Sequence, residues 1–552
     1  MRRALSVYGL ISLALSAALI LGALAMFESL ADYHNPYPVW QDFAASSHGP
    51  ALTQHVILAV VDGLRVDTAQ TMRAFRPAPG ATCRAGELTV SLPSYSLPTW
   101  AVIGSGTTQA VTGVVMNGYR QPTISNIFAK AKAAGLSTAL VGSASWETLY
   151  GPWLDNEFIF SGEVAETEIA RRAADLARTA SLTLVYFPKP DEMAHAFGVA
   201  SQQYAAAARA TDEALLQLLA GVDLSTTTVI ITADHGHVKT GGHGGPEPDV
   251  IRTPLILYGA AVKPGASLSG RQMDIAPTVA ALLGTGYPDF VQGEPLVDAL
   301  DCTPLDRGLI LTAWADQVEK GTAALLPALN ATLRPVAAVD PQERGRAYLR
   351  QYDDAVAAQR AADMGAAWRR AALAVLCAAA LALAVWFRRY TTIGCFLSST
   401  AGLATSVAVA ALGKLKPTFT ALDSARQVVL TLSCYAAVGL LVTLLIMLLA
   451  KSRGRPVLFR QWAFGMVQVQ VIVFGAALAM LTFGPCLVNG YMPDFSYWLL
   501  KLYLMVYAAL SNLVLLIGLL PVWFIARWAA RSAIDSPTRI APAAWAGHPR
   551  QP

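Results

Sequence analysis

Residues 4–27, ALSVYGLISLALSAALILGALAMF, contain no charged side chain and follow directly on Arg2 and Arg3. A helix of this length crosses a hydrocarbon core of roughly 30 Å, and the run exceeds the ~7–15 residues of a secretory h-region. It is therefore expected to be an anchor rather than a signal peptide cleaved after Ala23-Leu24-Ala25. Five more apolar segments, near 371–387, 392–412, 427–450, 462–485 and 497–520, are each long enough to span as a helix, with 392–412 the least hydrophobic. A composition of 54% hydrophobic and 14% charged residues agrees with a chain that lies partly in lipid. Arg388, Arg389, Lys451, Arg453, Arg455, Arg460, Arg527 and Arg531 fall on one side together with Arg2 and Arg3, and Lys414, Lys416 and Arg426 on the other. This bias places both termini in the cytoplasm and residues 28 to about 365 outside it, in a periplasm or lumen. The expected organisation is an N-terminal anchor 1–27, an extracytoplasmic domain 28–300, a helical connector 301–368, a five-helix transmembrane domain 369–530 and a cytoplasmic tail 531–552. The net charge of +4 is small for 552 residues and the basic side chains are dispersed, which argues against nucleic acid as a partner.

Within the outside domain, apolar β-type runs alternate with helical patterns. VILAVV (56–61), LTLVYF (182–187), TTVIIT (227–232) and PLILY (254–258) read as strands buried on both faces, and helices are expected at about 122–135, 164–178, 200–220 and 274–283. The fold class is therefore α/β, a doubly wound, mostly parallel sheet, joined to an α-helical transmembrane bundle. In such sheets ligands bind beyond the carboxyl ends of the strands.

The polar residues at those ends form a pattern. VILAVV leads to Asp62-Gly63, LTLVYF to Pro188-Lys189-Pro190-Asp191 and then His195, and TTVIIT to Ala233-Asp234-His235. Singly, Asp62-Gly63 reads as a turn and Asp191 as loop punctuation. Three carboxylates delivered to one sheet edge, however, repel unless cations hold them, and carboxylate with imidazole suits zinc or a similar divalent ion. The stretch ITADHGHVKTGGHGG (231–245) holds three of the eight histidines among five glycines. In it Asp234 and His235 sit at the strand end and His243 in a loop able to fold back. For His237 a contact near the site and a position facing solvent both stay open.

Between the first two strand ends, SLPSYSLPTWAVIG (91–104) offers Ser96 before Pro98 and an apolar run that reads as a helix start, where an anion would be favoured. Ser91 and Ser94 lie close by, and spacing alone does not choose among the three.

Taken in order, Asp62, Ser96, Pro190-Asp191-Glu192-Met193-Ala194-His195, Asp234-His235-Gly236 and His243 resemble the alkaline phosphatase superfamily across roughly residues 53–300. The resemblance implies two zinc ions, or similar divalent ions, one held by Asp191, His195 and His243 and the other by Asp62, Asp234, His235 and the Ser96 oxygen. It also implies that Ser96 is the nucleophile and that Asn117, in VVMNG, resembles the Asn that helps bind phosphate oxygens in the phosphodiesterase and nucleotide pyrophosphatase branch. Ser96-Leu97-Pro98-Thr99-Trp100 lacks the arginine of the sulfatase maturation motif, and no Arg occurs between Ser91 and Tyr119 to grip a dianionic monoester. Diester chemistry is favoured. The plan of one N-terminal span, an outside domain and a terminal bundle is similar to the ethanolamine phosphate transferases acting on glycosylphosphatidylinositol lipids, as is GGHGGPEPDVIRTPLILYGAAVKPG with the following RQMDIAPTVAALLGTGYP. Those enzymes usually carry more C-terminal spans and a Thr nucleophile.

This resemblance implies a two-step transfer of a phosphoethanolamine-type group from a phospholipid to a lipid or glycolipid hydroxyl through a phosphoserine-type intermediate. The alternatives are a membrane-tethered phosphodiesterase or nucleotide pyrophosphatase, a sulfatase, and a transporter or assembly factor without catalysis. Transporter spans would carry paired charges, and apart from Lys501 the six runs carry almost none; Lys501 reads as snorkelling to the interface. Cys83 and Cys302 lie in the outside domain without metal-ligand spacing, and a disulfide and two buried thiols both stay open. Asn330-Ala331-Thr332 matches the N-glycosylation pattern. Nothing in the sequence speaks to the oligomeric state.

Overall fold

The computed structural model describes residues 49–76, 82–117, 125–337 and 340–362, with the isolated positions 17 and 21. Apart from those two positions, the six apolar segments expected to span a membrane lie outside the described residues, as do Lys501 and the tail 531–552. Among the described residues no helix is long and apolar enough to cross a membrane.

Four continuous apolar runs form the centre of the sheet. They are β1 (His55–Val61), β5 (Leu182–Phe187), β6 (Thr227–Ala233) and β7 (Arg252–Gly259), whose residues are buried almost without exception. A strand with no exposed face must be covered on both sides, and β-branched side chains suit that environment. Four further strands, β2 (Cys83–Thr89), β3 (Thr138–Ser143), β4 (Asn156–Phe160) and β8 (Gly265–Arg271), complete an eight-stranded sheet of order β4-β3-β5-β1-β6-β7-β2-β8. Only β7 runs against its neighbours β6 and β2, while the five other pairings are parallel.

The helix Glu166–Ala177 packs on β1, β3 and β5, and Ile275–Leu283 packs on β1 and on the helices Ser96–Ser105 and Ile127–Ala133. The last of these starts later than the sequence pattern suggests, because Asn126 caps it by accepting from the backbone N–H of Phe128 and Ala129 at 3.0 Å. The long helix Gln202–Ala220 is capped by Ser201, which accepts from Tyr204 N at 3.1 Å. Beyond residue 300 the core continues. The helix Pro304–Leu325 opens with a capping box between Thr303 and Asp306 and inserts Ile310, Trp314 and Val318 into the main hydrophobic cluster. Trp314 Nε1 donates to Gly293 O at 2.7 Å, so the start of the expected connector packs as part of the sheet domain. Cys83 and Cys302 are both free thiols.

Candidate metal centre

The site follows from strand register. Val61 of β1 lies opposite Phe187 of β5 and Ala233 of β6, so the three central strands end at the same level. Asp62 and Asp234 are the next residues of their strands. β5 turns at Pro188 into the helix Lys189–Phe197, which has Pro at its first turn, so Asp191 lies in a helix and not in a loop. The four-residue spacing of Asp191 and His195 puts both on one helical face. Gly63 takes φ +65°, which lets the backbone turn there and donate from its N–H to Asp234 Oδ1 at 3.1 Å.

Asp62 accepts a 2.5 Å hydrogen bond on Oδ2 from the Tyr186 hydroxyl, and its Oδ1 lies 3.4 Å from His235 Nε2. Asp234 is fastened on both oxygens. Oδ1 accepts from the N–H groups of Gly63 and His235, and Oδ2 accepts from Trp100 Nε1 at 2.8 Å while lying 3.4 Å from His235 Nε2. Ser96 is the first residue of the helix Ser96–Ser105, and its Oγ stands 3.2 Å from the same His235 Nε2. The neighbouring serines are committed elsewhere: Ser94 Oγ donates to Gly245 O at 3.0 Å and Ser91 Oγ to Gln109 Oε1 at 2.8 Å. Asn117 is exposed, and its Oδ1 accepts from Leu97 N at 3.1 Å, which places its amide at the start of the Ser96 helix. The loop carrying His243 returns over the edge through Gly241 and Gly244, both at positive φ, and His243 Nδ1 lies 3.1 Å from Ser94 O. His243 Nε2 comes within 3.0 Å of His195 Nε2 and 3.8 Å of Asp191 Oδ1, which is 3.4 Å from His195 Nε2.

Burial pushes the Asp62 carboxyl well above the usual range, and the negative charges of Asp191 and Asp234 add to it. Asp234 is pushed up to about 6 by burial and by Asp191. At Asp191 burial acts upward too, but the imidazoles of His237, His243 and His235 outweigh it and hold the group below the ordinary carboxylate range. Burial holds His235 down at about 3 and His243 well below its usual value, so both rings are neutral, the state in which imidazole binds a metal.

Three carboxylates at one sheet edge, Asp62 and Asp234 buried and Asp191 partly so, whose ion-pair contacts among the described residues are with histidines, are an unstable arrangement without added positive charge. Asp62 Oδ1 and Asp191 Oδ1 are buried and make no hydrogen bond. Donor atoms of Asp62, Asp234 and His235 lie within 4.8 Å of one another, as do those of Asp191, His235 and His243 and those of Asp191, His195 and His237. The donor set of carboxylates and neutral imidazoles fits divalent metal ions.

Sequence reasoning missed Tyr186 and Trp100, which orient two of the carboxylates. Tyr186 points into the site from within a strand and Trp100 from within a helix, and neither position carries a motif. For His237 it left a contact near the site and a solvent-facing position both open, and the structure has the first: the residue is 0% exposed and its Nε2 lies 2.9 Å from Asp191 Oδ1.

Residues 142–246 match the family model "Type I phosphodiesterase / nucleotide pyrophosphatase". The chain is 23% identical to GPI ethanolamine phosphate transferase 2 of Aspergillus fumigatus over 314 residues, covering 49% of this chain and 41% of that one. It is 21% identical to the human GPI ethanolamine phosphate transferase 2 catalytic subunit over 288 residues, covering 47% of this chain and 29% of that one. Among solved structures, murine ectonucleotide pyrophosphatase / phosphodiesterase 5 superposes with a TM-score of 0.38 at 12% identity, over 45% of this chain and 100% of that one. These matches all fit the alkaline phosphatase superfamily, a class of enzymes. Within it, the curated relatives named here are GPI ethanolamine phosphate transferases, and the matched region spans less than half of their length.

Proposed function

We infer that the protein is a membrane-bound, metal-dependent phosphotransferase that moves a phosphoethanolamine-type group from a phospholipid donor to a lipid or glycolipid hydroxyl. The observation that carries the reading is the placement of the Ser96 hydroxyl. It lies at the start of a helix, 3.2 Å from His235 Nε2, beside the cluster of Asp62, Asp234 and His235 and next to the Asn117 amide. In this reading Asp191, His195 and His243 hold one ion, and Asp62, Asp234, His235 and Ser96 hold the other. When bound, the ions supply positive charge that lowers the pKa of an attacking oxygen and stabilises a departing one.

The chain's own groups account for the rest. Ser96 Oγ forms the new bond to phosphorus as the bond from phosphorus to the diacylglycerol oxygen breaks, and the proton Ser96 gives up is balanced by the one the diacylglycerol takes. In the second step the acceptor oxygen bonds to phosphorus, the Ser96 ester breaks and the serine regains a proton. The Asn117 amide and the N-terminal end of the Ser96 helix act as donors for the non-bridging oxygens. Trp100, Tyr186 and Gly63 fix the carboxylates through the hydrogen bonds described above. The expected membrane spans would bring both lipid substrates to this edge.

The test is incubation of the purified full chain with head-group-labelled phosphatidylethanolamine and a candidate glycolipid acceptor. Label in the lipid acceptor, lost in Ser96→Ala, supports transfer. Label released as a soluble phosphate ester supports the phosphodiesterase alternative, with water as acceptor. Undiminished turnover by Ser96→Ala refutes both.

A further inference from the structure

The superfamily resemblance assigns three protein donors, Asp191, His195 and His243, to one of the two ions. We propose that this centre has a fourth, His237, which neither the sequence motifs nor the resemblance includes. The inference rests on reading the cluster as a metal centre.

The geometry is that of converging ligands. His237 Nε2 lies 2.9 Å from Asp191 Oδ1, His195 Nε2 lies 3.4 Å and His243 Nε2 3.8 Å from that same oxygen, and the last two nitrogens are 3.0 Å apart. Donors about 2.0–2.1 Å from a tetrahedral zinc stand roughly 3.3 Å from each other; four of the six separations among these donors bracket that value, and donor atoms of Asp191, His195 and His237 all lie within 4.8 Å of one another. Although 2.9 Å apart, Asp191 Oδ1 and His237 Nε2 make no hydrogen bond.

The ring's nitrogens make no hydrogen bond. The ring is fully buried, at a cost of about 1–3 kcal/mol for each unsatisfied polar atom. It stands nearly perpendicular to the imidazoles of His195, His235 and His243, with centroids 5.2, 5.6 and 5.2 Å away. An ion on Nε2 would satisfy that nitrogen and leave the imidazole proton on Nδ1. Space for the ring is made by Gly63, where a Cβ would stand 2.3 Å from His237 Nε2 and 3.1 Å from Asp191 Cα. The backbone of His237 is held from the other side by Arg65 Nη1, which donates to its carbonyl at 2.6 Å.

Four protein donors close a zinc centre that three would leave open, so the ion at Asp191 would be a retained charge, opened to substrate only by expansion to five-coordination. The experiment compares the full-length wild type with His237→Gln, each dialysed against a graded zinc chelator and analysed for metal per chain. The visible spectrum of the cobalt-substituted protein reports coordination number. The expected result is two ions in the wild type. In the variant one of them is lost at chelator strengths at least about 100-fold lower, the upper end of what even an indirect metal partner costs when removed, with a changed cobalt spectrum. If His237→Gln does not fold, His237→Gly with added imidazole replaces it, and recovery of the second ion by imidazole is expected. Identical chelation curves and cobalt spectra for wild type and folded variant, or failure of imidazole to restore the ion, would overturn the proposal while leaving the two-ion site standing. A wild type that binds no divalent ion would remove the metal centre itself.

Discussion

Trp100→Phe tests the idea that ion binding depends on groups behind the ligands. The indole N–H donates to Asp234 Oδ2 at 2.8 Å, with both residues buried. Phenylalanine keeps the ring but removes the donor, and loss of a hydrogen bond to a charged group costs about 1.5–3 kcal/mol. Trp100 also stacks on Trp146 with centroids 4.3 Å apart and meets Tyr186 edge-on at 5.0 Å. A smaller ring weakens these contacts by about 0.5–1.5 kcal/mol. The expected total is a loss of about 2–4 kcal/mol, or a fall of several degrees in Tm. Because Asp234 Oδ2 would lose the bond that orients it, affinity for the ion it shares with Asp62 and His235 should fall by about 10–100-fold. Thermal unfolding of the full chain in detergent, metal-free and zinc-loaded, reads the first effect, and chelator competition reads the second. A folded Trp100→Phe protein with wild-type ion affinity would refute the reasoning.

Other outcomes follow from the same structure. Asn117→Ala removes the acceptor for Leu97 N and a donor beside Ser96, and kcat should fall by about 100-fold or more in a steady-state assay with little change in metal content; an unchanged kcat removes Asn117 from the site. Zinc at 100 times its Kd should stabilise the chain by about 2.7 kcal/mol per site, reversed by chelation, and a flat Tm against zinc concentration contradicts the reading. Glu166 is buried, accepts from Thr211 Oγ1 on Oε2 and makes no hydrogen bond on Oε1, and burial pushes its carboxyl from 4.5 up to about 7. The folded chain therefore holds this proton more tightly than the unfolded one. The resulting penalty is absent below pH 4.5, grows as pH rises towards 7 and is complete above it. Glu166→Gln should thus gain up to about 3 kcal/mol over wild type at pH 8 and nothing at pH 4.5, measured by denaturant unfolding at both values, and parallel pH curves for the two proteins would contradict this.

The legible parts of the fold were those with strong local signals. β1, β5, β6 and β7 were apparent because a strand covered on both faces must be apolar at every position. The strands CRAGELT and NEFIF stayed hidden because much of each is only half-buried or exposed, so their composition resembles loop. GASLSGR lies at the sheet edge and is rich in Gly and Ser. TALVGS is buried but short, and its Gly and Ser read as turn residues. The packing of Trp314 into the main core was hidden as well, since the turns of a helix do not show which neighbour they will meet.

The order of apolar strands and the polar residues at their ends were set by the sequence alone. Each strand carries its aspartate by covalent connection, so Asp62, Asp191 and Asp234 could be brought to one edge as soon as a parallel sheet was inferred. Tertiary structure decided which of three serines faces the cluster, that Trp100 and Tyr186 secure the carboxylates, and that His237 turns inward beside Asp191. Those outcomes depend on distances between segments far apart in the chain, 134 positions for Trp100 to Asp234 and 172 for Arg65 to His237. Such distances are fixed only when the packed core leaves each side chain a single place to go.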